Sequence, residues 1–243
     1  MEKSLILGHR GACGYAPENT LEAFRLALQQ GADGYELDVH MTSDGELVVI
    51  HDETVDRTTN GTGLVRDLTL GQIKALDASC GMDAYRGAKI PTLREALELV
   101  KGTNHIVNIE IKTDEWFYPG LEEKCLALVQ ELGMEDQIVY SSFNHFTLQK
   151  IKALNPNAKT GMLFGDIMVR PWEYAEPLNV DFLHPMKMNI WVEDFAGETY
   201  KAGYGINMWT INDEATMNRC LDCGAGIITN YPDVAVKLRK DRK

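Results

Sequence analysis

The chain has 243 residues, enough for one large α/β barrel or for two small domains. Apolar residues make up 44%, enough for a sizeable core, yet no stretch approaches the roughly 18 apolar residues of a membrane span, so stable membrane insertion is not expected. A net charge of −12 argues against nucleic acid or an anionic membrane surface as the main partner.

The first strand is predicted at 4–8 and runs into Gly8-His9-Arg10-Gly11. A helix over 20–30 follows, with Leu21, Phe24, Ala27 and Leu28 at helical spacing. Asn19 is its candidate N-cap, with Glu22 three residues on, and Gly31 is its stop. The second strand, 34–41, turns Glu36, Asp38 and His40 to one face and Tyr35, Leu37 and Val39 to the other. From about 42 to 90 the rhythm breaks. This stretch holds a turn at Ser43-Asp44-Gly45, a strand-like run over 46–50 ending at His51, and a Gly- and Thr-rich segment without clear periodicity. Connections that long are usually functional, so a small insertion over the barrel mouth is expected.

A helix at 92–100 carries a capping box, Thr92 with Glu95, between Pro91 and Gly102. The strand at 106–112 places Asn108, Glu110 and Lys112 on one face, and Val107, Ile109 and Ile111 on the other. Further strands read at 138–142, 159–163, 181–184, 205–210 and 226–229. Helices read at 121–132, 146–154, 191–202, 213–223 and 232–239, whereas Pro171 and Pro177 interrupt the one between 163 and 181. Strand then helix, eight times over, predicts a (β/α)8 TIM barrel as a single domain across 1–243, with an insertion after the second strand.

The residues at the strand ends suit phosphodiester chemistry. Glu36, Asp38 and Glu110, inward on adjacent strands, make an oxygen site for a hard divalent cation, Mg2+ or Ca2+. The alternative is a buried ion network with Lys112, but three acids against one lysine leave a deficit. Arg10 offers phosphate a planar fork and Lys112 a point charge. His9 and His51, at strand ends, can move protons near neutral pH. Phe143 and His184 also stand at strand ends and are pocket candidates against core packing. Glu18 and Asn19 are expected only to cap the first helix, and His40, His105 and His145 to play no part in the chemistry.

The pieces His9-Arg10-Gly11, Pro17-Glu18-Asn19-Thr20, Glu36-Leu37-Asp38-Val39, Asp44-Gly45, His51-Asp52, Thr58-Thr59, Pro91-Thr92-Leu93, Asn108-Ile109-Glu110-Ile111-Lys112, Ser141-Ser142-Phe143 and Met208-Trp209-Thr210 run nearly end to end. In this combination the chain resembles the glycerophosphodiester phosphodiesterases of the bacterial, cytosolic type. The resemblance implies a TIM barrel with a small insertion after the second strand. It also implies hydrolysis of sn-glycerol 3-phosphodiesters to glycerol 3-phosphate and an alcohol. On the matching positions, His9 and His51 would be the acid/base pair, and Glu36, Asp38 and Glu110 would hold the cation. Arg10 and Lys112 would contact the phosphate, and Trp209 would line the substrate pocket. Either histidine can be the acid, and the nucleophile is either water or the substrate's own 2-hydroxyl.

Other readings fit less well. A related phosphodiesterase acting on lysophospholipids or phosphoinositides is the nearest, but the acidic charge and the lack of an apolar surface segment count against it. A dinucleotide site would need G-x-G-x-x-G, whereas Gly8, Gly11 and Gly14 are spaced G-x-x-G-x-x-G. A non-catalytic relative would be expected to lose positions that are all present. The five scattered cysteines suggest a reducing compartment, and Cys220 and Cys223 lack the second pair of a zinc site. The sequence enters a strand-like run with no apolar leader, so a cytoplasmic setting is expected. The basic cluster Lys237, Arg239, Lys240, Arg242 and Lys243 reads as the last turn of a helix, where cations suit the dipole. The expected partner is a small-molecule glycerophosphodiester, met by a monomer or an oligomer.

Overall fold

Alternation along each strand sorts the side chains into an apolar outer face and a polar inner one, and this sets the architecture of the computed structural model, which describes residues 4–242. In chain order the first half runs β1 (Ile6–Gly8), α1 (Leu21–Gln29), β2 (Gly34–Met41), β3 (Leu47–Val49), α2 (Leu70–Ala75), α3 (Leu93–Glu98), β4 (Ile106–Ile111) and α4 (Leu121–Leu132). The second runs β5 (Ile138–Ser142), α5 (His145–Leu154), β6 (Lys159–Phe164), α6 (Pro171–Ala175), β7 (Phe182–Pro185), α7 (Phe195–Lys201), β8 (Gly205–Met208), α8 (Glu214–Cys223), β9 (Gly226–Thr229) and α9 (Pro232–Lys240). Eight strands pair in parallel in the order β1-β9-β8-β7-β6-β5-β4-β2, and β1 pairs with β2 to close the ring. This is a TIM barrel. Among the strands of the described residues only β3 is antiparallel, a short hairpin partner on the outgoing end of β2.

Tyr35, Leu37 and Val39 of β2 and Val107, Ile109 and Ile111 of β4 pack outward under Leu93, Leu97, Leu121 and Val129. On the far side Ile6, Leu183, Ile206 and Ile227 do the same under Met217 and Val236. Inside the ring, Glu36, Asp38, Asn108, Glu110, Lys112, Ser141, His184 and Asn207 are buried. The β2–β4 register sets Asp38 beside Glu110 and Glu36 beside Asn108, so the carboxylates meet by construction. Gly161 makes room for His184, since a Cβ there would lie 2.4 Å from the His184 ring.

Several local expectations need correction. Thr20, not Asn19, caps α1, its hydroxyl accepting from the Ala23 amide, while Asn19 takes a left-handed φ of 56°. Pro171 does not interrupt a helix but opens α6, where its missing N–H costs nothing. Of the helix read at 191–202, only Phe195–Lys201 is α-helical, preceded by a 3-10 turn at Lys187–Trp191. Segment 42–90 is less irregular than its composition suggests. It holds α2, which has its own Thr69/Gln72 capping box, and it gathers Val48, Ile50, Val55, Val65, Ile73 and Ile90 into a separate small core. At the C-terminus, Arg239 bonds Asp33 and the Ser4 carbonyl, and Arg242 pairs with Asp222, while Lys243 lies outside the described residues. Cys220 is buried in the core, and all five cysteines are unpaired.

Candidate active site

The inner faces of β2 and β4 and the turns that follow β1, β3 and β9 converge on one volume at the C-terminal end of the barrel. One carboxylate oxygen from each of Glu36, Asp38 and Glu110 lies within 4.8 Å of the other two. Burial and the neighbouring Asp38 and Glu110 push the Glu36 carboxyl well above its ordinary range, and burial with Asp38 raises Glu110. Burial would raise Asp38 as well, but Arg10, His51 and Lys112 hold it below the usual carboxylate value. Glu36 Oε1 and Asp38 Oδ1 are buried with no hydrogen-bond partner. Buried carboxylate oxygens without partners, in a cluster this tight, suit a hard divalent cation, and Mg2+ or Ca2+ both match the donor set.

Two cations border the acids. The Lys112 ammonium donates to Glu110 Oε1 at 3.0 Å, and the Arg10 guanidinium lies 3.5 Å from Asp38 and 2.8 Å from Glu18. Arg10 has a φ of 51°, and this turn aims its backbone N–H at Glu36 Oε2, 2.8 Å away. Against three carboxylates these two charges still leave a deficit.

The two histidines are held differently. His9 donates from Nδ1 to the amide oxygen of Asn230 at 2.7 Å. Burial, reinforced by Arg10, lowers its pKa to about 4, so the ring is neutral at pH 7 and Nε2 is its basic nitrogen. His51 donates from Nδ1 to the Asp52 carboxylate at 2.7 Å. His40 is no bystander to this arrangement. It donates from Nε2 to the His51 carbonyl at 3.0 Å and accepts from the Tyr118 hydroxyl, which fixes the backbone that carries His51.

Glu18 also does more than the helix-capping expected of it. Arg57 donates to both Glu18 oxygens and both Asp52 oxygens at 2.7 to 2.9 Å. The chain Arg10–Glu18–Arg57–Asp52–His51 thus ties the barrel to segment 42–90. Asn19, read as a cap, instead donates from Nδ2 to Asp38 at 2.8 Å.

Phe143 and Trp209 meet edge to face, centroids 5.3 Å apart, across the mouth from the histidines. The Trp209 indole N–H donates to the His184 carbonyl at 2.8 Å. His184 itself is fully buried beside Gly161, with Nε2 bonded to Asn207 and a pKa lowered to about 3 by burial. Its side chain lies beneath the mouth and its backbone supports Trp209, so it does not form the pocket wall expected of it. Sequence reasoning missed Arg57 and Asn230. The signal for Asn230 was its place just beyond the last barrel strand. Arg57 had none beyond lying next to Thr58-Thr59.

A family model described as "Glycerophosphoryl diester phosphodiesterase family" matches residues 9–234. A glycerophosphodiester phosphodiesterase from Caldanaerobacter subterraneus subsp. tengcongensis is 44% identical over 238 residues, covering 97% of this chain and 98% of its own. One from Bacillus altitudinis is 40% identical over 245 residues, covering 98% and 99%. Among solved structures, a glycerophosphodiester phosphodiesterase from Agrobacterium tumefaciens superposes with a TM-score of 0.85 at 34% identity, covering 96% of this chain and 99% of that one. An Oleispira antarctica phosphodiesterase, solved with the product sn-glycerol-3-phosphate, gives a TM-score of 0.84 at 32% identity, with 98% and 97% covered.

Proposed function

This chain belongs to the glycerophosphoryl diester phosphodiesterase family, and on that premise we propose that it hydrolyses glycerophosphodiesters to sn-glycerol 3-phosphate and an alcohol, with His9 as general base and His51 as general acid. The observation that carries the reading is the unequal pair of Nδ1 partners. His9 faces a neutral amide and sits beside Arg10, so it rests unprotonated with Nε2 ready to take a proton. His51 faces the Asp52 carboxylate, which is placed to offset the positive charge of a protonated ring. A neutral imidazole as base, paired with a second imidazole whose Nδ1 is held by a carboxylate, is an arrangement that suits general acid–base hydrolysis. The product bound by the Oleispira antarctica relative supports glycerol 3-phosphate as the half of the substrate that the site grips.

Arg10 and Lys112 would orient the phosphate and add positive charge as negative charge builds on its oxygens. Glu36, Asp38 and Glu110 would hold the divalent cation, Mg2+ or Ca2+, which when bound supplies Lewis-acid neutralisation of the non-bridging oxygens. Phe143 and Trp209 would line the pocket for the rest of the diester. Segment 42–90, built around its own small core, would act as an insertion that delivers His51 and selects which diesters enter. Five unpaired cysteines support a cytoplasmic setting.

The leaving group separates the two histidines. Alanine at either should cost on the order of a hundredfold or more in turnover of an alkyl diester. On a p-nitrophenyl diester, whose phenolate departs without protonation, the His51→Ala enzyme should recover much of its rate and the His9→Ala enzyme should not. Recovery by His9→Ala instead would reverse the assignment, and recovery by neither would refute the division.

A further inference from the structure

Among the described residues, thirteen large apolar side chains are exposed, and only Leu154 and Tyr200 lie at the end of the barrel away from the site. The other eleven follow the outgoing ends of strands, and most fall in four consecutive connections, β4–α4 to β7–α7. Val169 is 91% exposed, Phe117 77% and Phe146 76%, with Trp116, Ile167 and Trp191 beside them in sequence or on the next loop.

These loops form one continuous arc. Phe117 and Phe146 line the same cavity of about 240 Å3 between the starts of α4 and α5. His145 ties the start of α5 to the next two elements, donating to the Leu163 carbonyl at 2.8 Å and accepting from the Tyr174 hydroxyl of α6 at 3.0 Å. Asn189 donates to the Asp166 carbonyl at 3.1 Å and joins the Ile167 loop to the Met188 turn. At the other end, Arg66 of segment 42–90 stacks 3.5 Å over the Trp116 ring. No single stretch of sequence carries this surface, because it is assembled from loops far apart in the chain.

We propose that this apolar arc seats the barrel mouth on a zwitterionic lipid–water interface, so that the site opens toward phosphodiester head groups at that surface. The proposal rests on the phosphodiesterase reading for what happens there and extends it to where it happens. Exposed aromatic and aliphatic side chains concentrated on one face are an interaction surface, and mixed Trp, Phe and aliphatic tips suit the head-group level of a lipid layer. The open site sits inside the arc, so a protein covering this face would seal the mouth, whereas a lipid layer would present substrate to it. Asp114, Glu115, Asp166, Glu193 and Asp194 outnumber Arg170 and Lys187 in the same loops, and with a net charge of −12 this disfavours an anionic surface. No helix among the described residues is long and apolar enough to cross a membrane, so the contact would be peripheral.

The test is flotation with phosphatidylcholine vesicles, with phosphatidylglycerol vesicles as the contrast. The protein should float with the first and not the second. The triple variant Phe117→Ser, Phe146→Ser, Val169→Ser should lose at least tenfold in partitioning while hydrolysing glycerophosphocholine in solution at the wild-type rate. Leu154→Ser with Tyr200→Ser, at the opposite end, should change neither. Absence of wild-type protein from phosphatidylcholine vesicles would overturn the proposal. So would light scattering showing a wild-type dimer that the triple variant splits, since the arc would then be covered by a second copy. Failure to hydrolyse soluble glycerophosphocholine would instead strike the phosphodiesterase reading, whatever the vesicles show.

Discussion

Replacing Glu36 by Gln should stabilise the metal-free protein. Fully ionised, three carboxylates would share one buried volume with two cations, one oxygen of each lying within 4.8 Å of the other two. At an effective dielectric constant near 20, each like-charged pair at that separation costs about 3.5 kcal/mol. Removing the Glu36 charge relieves two such repulsions, with Asp38 and Glu110, and forfeits one attraction of similar size to Arg10, a net gain of about 3 kcal/mol. The amide fits the same space. Its oxygen can keep the Arg10 N–H now bound at 2.8 Å, and its N–H2 puts a donor among the acids in place of an oxygen that has no partner. The sign agrees with proton linkage. Glu36 holds its proton to higher pH when folded than its ordinary value of 4.5, so its ionisation progressively destabilises the fold as pH rises above 4.5. In chelator at pH 7 to 8, calorimetry should therefore show the variant melting about 6–12 °C above wild type for a chain of this size. With Mg2+ or Ca2+ at a hundred times its Kd, wild type should gain about 2.7 kcal/mol and the variant far less, closing the gap. A variant that melts below wild type in chelator would refute the repulsion argument, and equal metal gains in both would refute Glu36 as a ligand.

Three further perturbations probe the surroundings. Asn230→Ala should release the His9 ring and lower kcat on the order of tenfold with KM little changed. In the unsubstituted enzyme with metal saturating, so that Glu36 and Glu110 stay ionised, the acid limb of the rate profile should lie below 6.5, toward about 4, as His9 takes up a proton; a limb at or above 6.5 under those conditions would contradict the geometry. Arg57→Lys cannot reproduce four hydrogen bonds with one ammonium, so kcat should fall on the order of tenfold while the melting temperature barely moves at this half-exposed position. Gly161→Ala should drive a methyl into the His184 ring and cost about 1–3 kcal/mol, read as a lower denaturation midpoint, with any activity loss following from unfolding.

The barrel was legible because its signal is periodic. In β2 and β4, alternation of two residue types told inside from outside, and the parallel register then made Asp38 and Glu110 neighbours. Segment 42–90 hid its helix because α2 spans only six residues, too few for a helical period to stand out, and its small core draws on residues scattered from Val48 to Ile90. Individual side-chain duties were the least legible. Asn19, Glu18 and His40 have ordinary local explanations, a cap or a strand position, and their partners Asp38, Arg57 and the His51 carbonyl are known only once the chain has closed. His184 stands near the outgoing end of β7, as a mouth residue would, but its ring fills the space that Gly161 leaves inside the barrel.

The pairing of His9 with Asn230 joins positions 221 residues apart, and β1, which carries His9 at its end, is flanked by β9. His9 therefore leaves the ribosome 221 residues before the amide that anchors it. Domains acquire structure from the N-terminus as they emerge, but here the ring of strands has no seam that could close early. A nascent chain stalled before residue 226 would lack both the strand beside β1 and the amide that sets the His9 tautomer. Hydrolytic competence would then arrive in a single late step, after the acids of β2 and β4 that we propose as metal ligands had already emerged.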